Sequence, residues 1–97
     1  MIVSFGHHLA ANLFEDRRSK EVRRFPVELY QIARRKLLYL HDAAALADLV
    51  VPPGNRLERL RGERAGYYSI RISDPWRVVF RWEAGNALDV QVVDDHR

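Results

Sequence analysis

The sequence predicts an α+β fold: an antiparallel sheet of four to five strands with two or three helices packed on one of its faces. Three observations lead there. Apolar residues recur at helical spacing through much of the first half of the chain. They alternate at strand spacing from Gly66 onward, and the strand-prone runs are joined by tight turns. The chain of 97 residues has the size of one compact domain, so residues 1–97 are read as a single unit.

Ile2-Val3-Ser4-Phe5 is short, apolar and β-prone, and reads as a first strand that Gly6 ends. From His7 to Phe14, Leu9, Leu13 and Phe14 take helical spacing, with Ala10 and Ala11 between them. Residues 15–24, EDRRSKEVRR, are charge-dense without a period and read as an exposed, mobile connection. The strongest helix signal runs from Phe25 to Asp42. Pro26 suits a first helical position, Leu29, Ile32, Ala33, Leu37 and Leu40 line one face, and Glu28, Gln31, Arg34 and Arg35 fall opposite. Ala43 to Val50 reads as a further short helix, and Pro52-Pro53-Gly54 breaks the chain.

After the break the period changes. Arg56 to Leu60 is a short strand candidate, though its alternation is poor. Gly66 to Ser73 alternates better, with Tyr68, Ile70 and Ile72 on one side and Tyr67, Ser69 and Arg71 on the other. Asp74-Pro75 makes a turn, Trp76 to Trp82 a strand, Glu83 to Asn86 a hairpin loop, and Ala87 to Val93 the last strand.

Net charge is only +3, but its placement is uneven. Residues 51–82 hold seven cations against three carboxylates, and all seven are arginines, whose planar fork suits phosphate. This composition permits a nucleic-acid partner; it equally suits solvated arginine faces. Several site classes drop out. With no cysteine there is no disulfide, thiolate metal site or cysteine nucleophile. No Gly-rich phosphate loop, HExxH or GxSxG occurs, and adjacent His7-His8 on a helix would point about 100° apart, a poor chelate. No cofactor or metal is expected. No apolar run approaches the roughly 20 residues of a membrane helix, and Met1 to Phe5 lacks the marks of a signal peptide, so a cytoplasmic protein is expected.

One metal-free reaction fits the residues that remain. RNA carries its own nucleophile, the 2′-hydroxyl. An enzyme then needs to move protons, for which histidine is suited, and to stabilise an anionic phosphorane, for which arginine is suited. His96 follows the last strand, and Arg59, Arg61, Arg71, Arg77 and Arg81 sit on or beside strands that an antiparallel sheet brings within reach of it. Tyr67 and Trp76 offer surfaces for stacking bases. The same residues also suit a solvated tail, an exposed arginine face and core aromatics.

A more specific pattern lies at residues 52–82: PPGNRLE at Pro52 to Glu58, the Gly62, Arg64-Ala65-Gly66 and Tyr68-Ser69-Ile70-Arg71 run, and Trp76-Arg77-Val78-Val79-Phe80. With Ile2 to Phe14 and the ending Val92-Val93-Asp94-Asp95-His96, it resembles the HigB-type (host inhibition of growth) toxins of the RelE/ParE superfamily. That resemblance implies a RelE-like, microbial-RNase-like fold and a type II toxin acting as a ribosome-dependent endoribonuclease on messenger RNA. Its partners would be the ribosome and a HigA-type helix-turn-helix antitoxin. It assigns proton transfer to His96, phosphate contacts to Arg77 and Arg61, and a catalytic place to Asp94. Arg56, Arg59, Arg64, Arg71 and Tyr67 are the further RNA-binding candidates. The ending departs from the family's Asp-Tyr-His in placing Asp95 where a Tyr is expected, and Glu58 stands where some relatives carry a His. Asp95 cannot stack on a base, but a carboxylate favours the protonated form of a nearby imidazole. A non-catalytic ParE-like or weakened toxin, acting on a protein such as DNA gyrase, is the alternative. The basic segment Arg17 to Arg24 is left as surface for an acidic antitoxin or for ribosomal RNA.

Overall fold

The structure, a computed structural model, describes residues 1–50 and 53–95. Helices α1 (His8–Phe14), α2 (Lys20–Arg24) and α3 (Tyr30–Asp42) precede strands β1 (Glu58–Arg59), β2 (Tyr67–Ser73), β3 (Trp76–Glu83) and β4 (Asn86–Asp94). The strands form one antiparallel sheet in the order β1-β2-β3-β4. This is the predicted α+β architecture, and it is consistent with a RelE-like fold.

Alternation decides which side of the sheet the helices cover. Ile70 and Ile72 of β2, Val78 and Phe80 of β3, and Val90 and Val92 of β4 are buried with Ala10 and Leu13 of α1 and Ala33, Leu37 and Leu40 of α3. Tyr68, Trp76 and Trp82 pack against the same cluster. Each large side chain so buried stabilises the fold by roughly 1.5–3 kcal/mol relative to exposure. Tyr67, Ser69 and Arg71 of β2 and Arg77, Val79 and Arg81 of β3 therefore belong to the other face, in the register Tyr67↔Arg81, Ser69↔Val79 and Arg71↔Arg77. In the β3–β4 turn, Ala84 and Gly85 both have positive φ, at 51° and 80°, as a type I′ hairpin requires.

Several elements differ from expectation. Ile2 to Phe5 is not a continuous strand; it makes two isolated parallel bridges to β4, Ile2↔Ala87 and Phe5↔Val90. Residues 15–24 are not all loop, because Ser19 accepts a hydrogen bond from the Val22 N–H and so caps the five-residue α2. The Phe25–Asp42 helix opens as a 3₁₀ turn over Val27–Leu29, with Pro26 just before it, and becomes α-helical only at Tyr30. Ala43 to Val50 yields a 3₁₀ turn at Leu46–Leu49, where the Asp48 carboxylate accepts the Ala44 and Ala45 N–H groups. The strand expected over Arg56 to Leu60 shrinks to two residues. Of the Pro52-Pro53-Gly54 break, Pro52 lies outside the described residues, and Pro53–Asn55 form a 3₁₀ turn.

Two polar details hold the helices in place. Arg34 was expected on a solvated face. Instead its guanidinium is half-buried, donating from Nε to the Leu13 carbonyl (2.9 Å) and from Nη2 to the Phe14 carbonyl (3.4 Å). It thus joins the Asp16 N–H at the Leu13 carbonyl and supplies a donor to the Phe14 carbonyl, at the end of α1 where the helix's own donors run out. His7 is not helical but the extended residue that begins α1, and its Nε2 accepts the Val92 N–H at 2.9 Å. Only neutral imidazole can accept that bond, and burial depresses the affinity of His7 for a proton despite the opposing pull of Asp89.

Arg34→Ala should cost about 1.5 kcal/mol in denaturant unfolding, the scale of a charged hydrogen-bonded group, and Arg34→Lys should recover only part of it. His7 gives a signed pH effect. Its protonation is harder in the folded chain, so its contribution to stability is complete above its ordinary value of 6.5 and declines as pH falls below it. Unfolding midpoints measured from pH 7.5 to about 5 should show that decline, and it should be smaller in His7→Gln.

Candidate functional site

The open face of the sheet is built around one buried guanidinium. Arg77 is 8% exposed although it belongs to the face away from the helices. Its Nε donates to Ser69 Oγ at 2.7 Å, and its Nη2 to the Arg56 carbonyl at 2.6 Å and the Ser69 carbonyl at 3.4 Å. Glu58 Oε1 lies 4.0 Å from the same Nη2. Arg77 therefore binds together the start of β1, the centre of β2 and its own strand. Arg56 enters this arrangement through its carbonyl, at a positive φ of 45°.

The segment leading into β1 is fixed from its other end by Asn55, which is fully buried. Its Nδ2 donates to the Leu49 carbonyl at 3.1 Å, and its Oδ1 accepts the Lys36 ammonium. Burial, with the charges of Arg35 and Arg71, holds the proton affinity of Lys36 below its ordinary value. Asn55 thus joins α3, the Leu46–Leu49 turn and the approach to β1.

Above the Ser69–Val79 pair lies a cleft of about 390 Å³, lined by Glu58, Arg59, Leu60, Arg61, Arg64, Ser69, Val79 and Asp95. Arg61 and Arg64 are exposed on it; Arg59 also lines it, but it pairs with Tyr68 of the helix-covered face and its guanidinium lies 6.0 Å from the Tyr68 ring centroid. Arg61 precedes and Arg64 ends a 3₁₀ turn over Gly62–Arg64, whose Gly62 takes the left-handed φ of 67° that glycine accommodates best. The chain reaches the cleft again at Asp95, whose N–H donates to the Pro75 carbonyl at 2.8 Å.

Of the residues singled out in the sequence, Arg59, Arg61 and Arg64 thus meet in one cleft, and Arg77 stands against two of its lining residues. His96 lies outside the described residues. Asp94 is exposed at the end of β4, opposite Trp76. Arg71 pairs with Asp74 at 3.3 Å and keeps that carboxyl below its usual range. Tyr67 donates to Asp89, a residue of positive φ where β4 bulges, and this bond raises the phenol above its ordinary value. Neither Arg71 nor Tyr67 lines the cleft. Sequence reasoning missed Val79 as part of the floor. Ser69 was legible as sharing a face with Arg71, but nothing in its spacing marked it as a partner of Arg77. Among the described residues, no group of three His, Asp or Glu side chains is arranged to hold a metal ion, and no helix is long and apolar enough to cross a membrane.

Comparison with known proteins matches residues 3–96 to the HigB-like toxins, described as RelE-like toxins of type II toxin–antitoxin systems. This chain belongs to that family. Toxin HigB-1 of Vibrio cholerae serotype O1 is 36% identical over 97 residues, covering all of this chain and 99% of the relative. An uncharacterised protein of Haemophilus influenzae is 32% identical over 73 residues, or 75% of this chain and 71% of that protein. As a HigB-like toxin of a type II system, the chain has an antitoxin for a partner. The HigB-like match spans β1 to β4 and hence both the Arg77 node and the cleft above it.

Arg77→Lys tests the node, because lysine keeps the charge but not the fork that bonds Ser69 and Arg56 at once. The variant should lose about 2–3 kcal/mol of stability, whereas Arg61→Ala, on the exposed rim, should stay within about 0.5 kcal/mol of the parent.

Proposed function

We propose that this HigB-like toxin is a ribosome-dependent, metal-independent endoribonuclease that cleaves messenger RNA during translation and thereby inhibits growth in the cytoplasm. The observation carrying this reading is the cleft on the open sheet face, where exposed Arg61 and Arg64 flank a floor of Ser69 and Val79 beside Asp95. Forked cations in such a recess suit a phosphodiester whose charge grows in the transition state. A HigA-type antitoxin with a helix-turn-helix domain is the partner that would neutralise it.

In the proposed reaction the 2′-oxygen of the substrate attacks phosphorus as its proton leaves, and the bond to the 5′-oxygen breaks as that oxygen is protonated. The products are a 2′,3′-cyclic phosphate and a free 5′-hydroxyl. Arg61, with Arg64, would bind the phosphate, and Arg59 at the sheet edge would meet the flanking backbone. Arg77 adds its charge from beneath while keeping Ser69 and the approach to β1 in place. His96 would handle a proton, and we assign it the acid step because a carboxylate at Asp95, its neighbour in sequence, would favour imidazolium. Glu58, which lines the same cleft 4.0 Å from the Arg77 guanidinium, would accept the 2′ proton. Asp95 replaces the stacking tyrosine expected of the family, so base preference would rest on other contacts.

The test is cleavage of a defined transcript on programmed ribosomes. Transcript should be cut to fragments bearing 5′-hydroxyl and 2′,3′-cyclic phosphate ends, and His96→Ala should fold normally yet lose at least about a hundredfold in rate, the lower range for a general acid or base. Transcript left intact by folded toxin at ribosome stoichiometry would falsify the enzymatic reading.

A further inference from the structure

A second cleft, about 540 Å³ in volume, lies in the helical layer and has no part in the reaction just described. It is lined by Asp16, Arg18, Val22, Arg23, Phe25, Val27 and Tyr30, from the α1–α2 connection, α2 and the entry to α3. Its floor is apolar and firm. Phe25 is only 5% exposed and packs edge-on against Trp76 with centroids 4.8 Å apart, while Val22 rests on the core. Val27 on its border is 84% exposed, the highest value among the exposed large apolar side chains described. The rim is basic. Arg18 and Arg23 are exposed, and among the described residues neither has a carboxylate partner within ion-pair distance. Of the carboxylates nearby in sequence, Glu15 pairs with Arg17 and Asp16 accepts the Tyr30 hydroxyl, while exposed Glu21 lies in no ion pair with Arg18 or Arg23.

We infer that this cleft docks an acidic segment of a partner protein, which inserts one apolar side chain over Val22, Phe25 and Val27 and sets its carboxylates against Arg18 and Arg23. The chemistry favours protein over RNA. A phosphate chain gains nothing from the apolar floor of Val22, exposed Val27 and a Phe25 ring only 5% exposed, whereas a peptide supplies both an apolar anchor for it and acidic flanks for the arginines. The occupant would also leave the Arg59–Arg61–Arg64 cleft uncovered, since that cleft opens on the face of the sheet away from the helices. The inference rests on the surface itself and does not require that RNA be cut.

The experiment uses the full chain and a short fluorescein-labelled peptide of Asp and Glu with one central Phe, read by anisotropy. A control peptide has that Phe replaced by Ser, and a labelled single-stranded RNA serves as competitor. The Phe peptide should bind about tenfold more tightly than the control. Arg18→Glu combined with Arg23→Glu should weaken it by about tenfold or more, and Val27→Asp should weaken it as well. All three positions are exposed, so the variants should keep the parental unfolding midpoint. Binding should be unchanged when Arg59, Arg61 and Arg64 are replaced by Ala. Equal affinity for the two peptides, indifference to the charge reversals, or displacement of the peptide by RNA would each overturn the proposal. Transcript cleavage is measured separately, so its failure and the failure of this docking site are distinguishable.

Discussion

A guanidinium with almost no exposure, on the side of a sheet that the helices do not cover, must find hydrogen-bond acceptors within the protein or destabilise it. Arg77 finds them in the Ser69 hydroxyl and in the carbonyls of Ser69 and Arg56, with the Glu58 carboxylate at 4.0 Å. Most of the open face follows from that arrangement. A two-residue strand such as β1 has little pairing of its own, and the bond from Arg77 to the Arg56 carbonyl helps hold its approach on the sheet. Once β1 is held, the segment from Arg59 to Arg64 lies over Ser69 and Val79, and the recess between them becomes the arginine-lined cleft. Asn55 braces the same segment from the helical side.

The two faces of the molecule therefore do different physical work. The helical face uses strand alternation and the α3 stripe to remove apolar surface from water, and this supplies most of the stabilisation. The open face gives up apolar packing for a guanidinium network and exposed arginines, which suits recognition of an anion better than stability. Phe25 and Trp76 lie between the two functions: their edge-on contact joins the floor of the helical cleft to the strand end that pairs with Asp94.

Much of this was legible in the sequence. The alternation from Tyr67 to Ser73 separated core from open face correctly, and the spacing of Ala33, Leu37 and Leu40 gave the buried stripe of α3. What could not be read has physical causes. Ser19 caps a helix inside a charge run that has no hydrophobic period, so only the cap itself signalled α2. His7 and Arg34 were assigned by helical periodicity, but each is placed by a backbone group distant in sequence that needed a partner. The gathering of Arg59, Arg61 and Arg64 depends on how a short 3₁₀ turn folds over the sheet, and periodicity carries no information about that. Arg71 and Tyr67 had the right residue types on the right face, but a neighbouring carboxylate engages each of them outside the cleft.

The central claim is that an RNA phosphate binds on the open sheet face, over Ser69 and between Arg61 and Arg64. NMR titration with a short RNA whose 2′-hydroxyl is removed at one position, so that it binds without being cut there, tests this most directly. Resonance shifts concentrated in the guanidinium groups of those arginines and the backbone amides of Ser69 and Asp95 are the predicted result. Shifts confined to α2 and the entry of α3, with the open face silent, would contradict it.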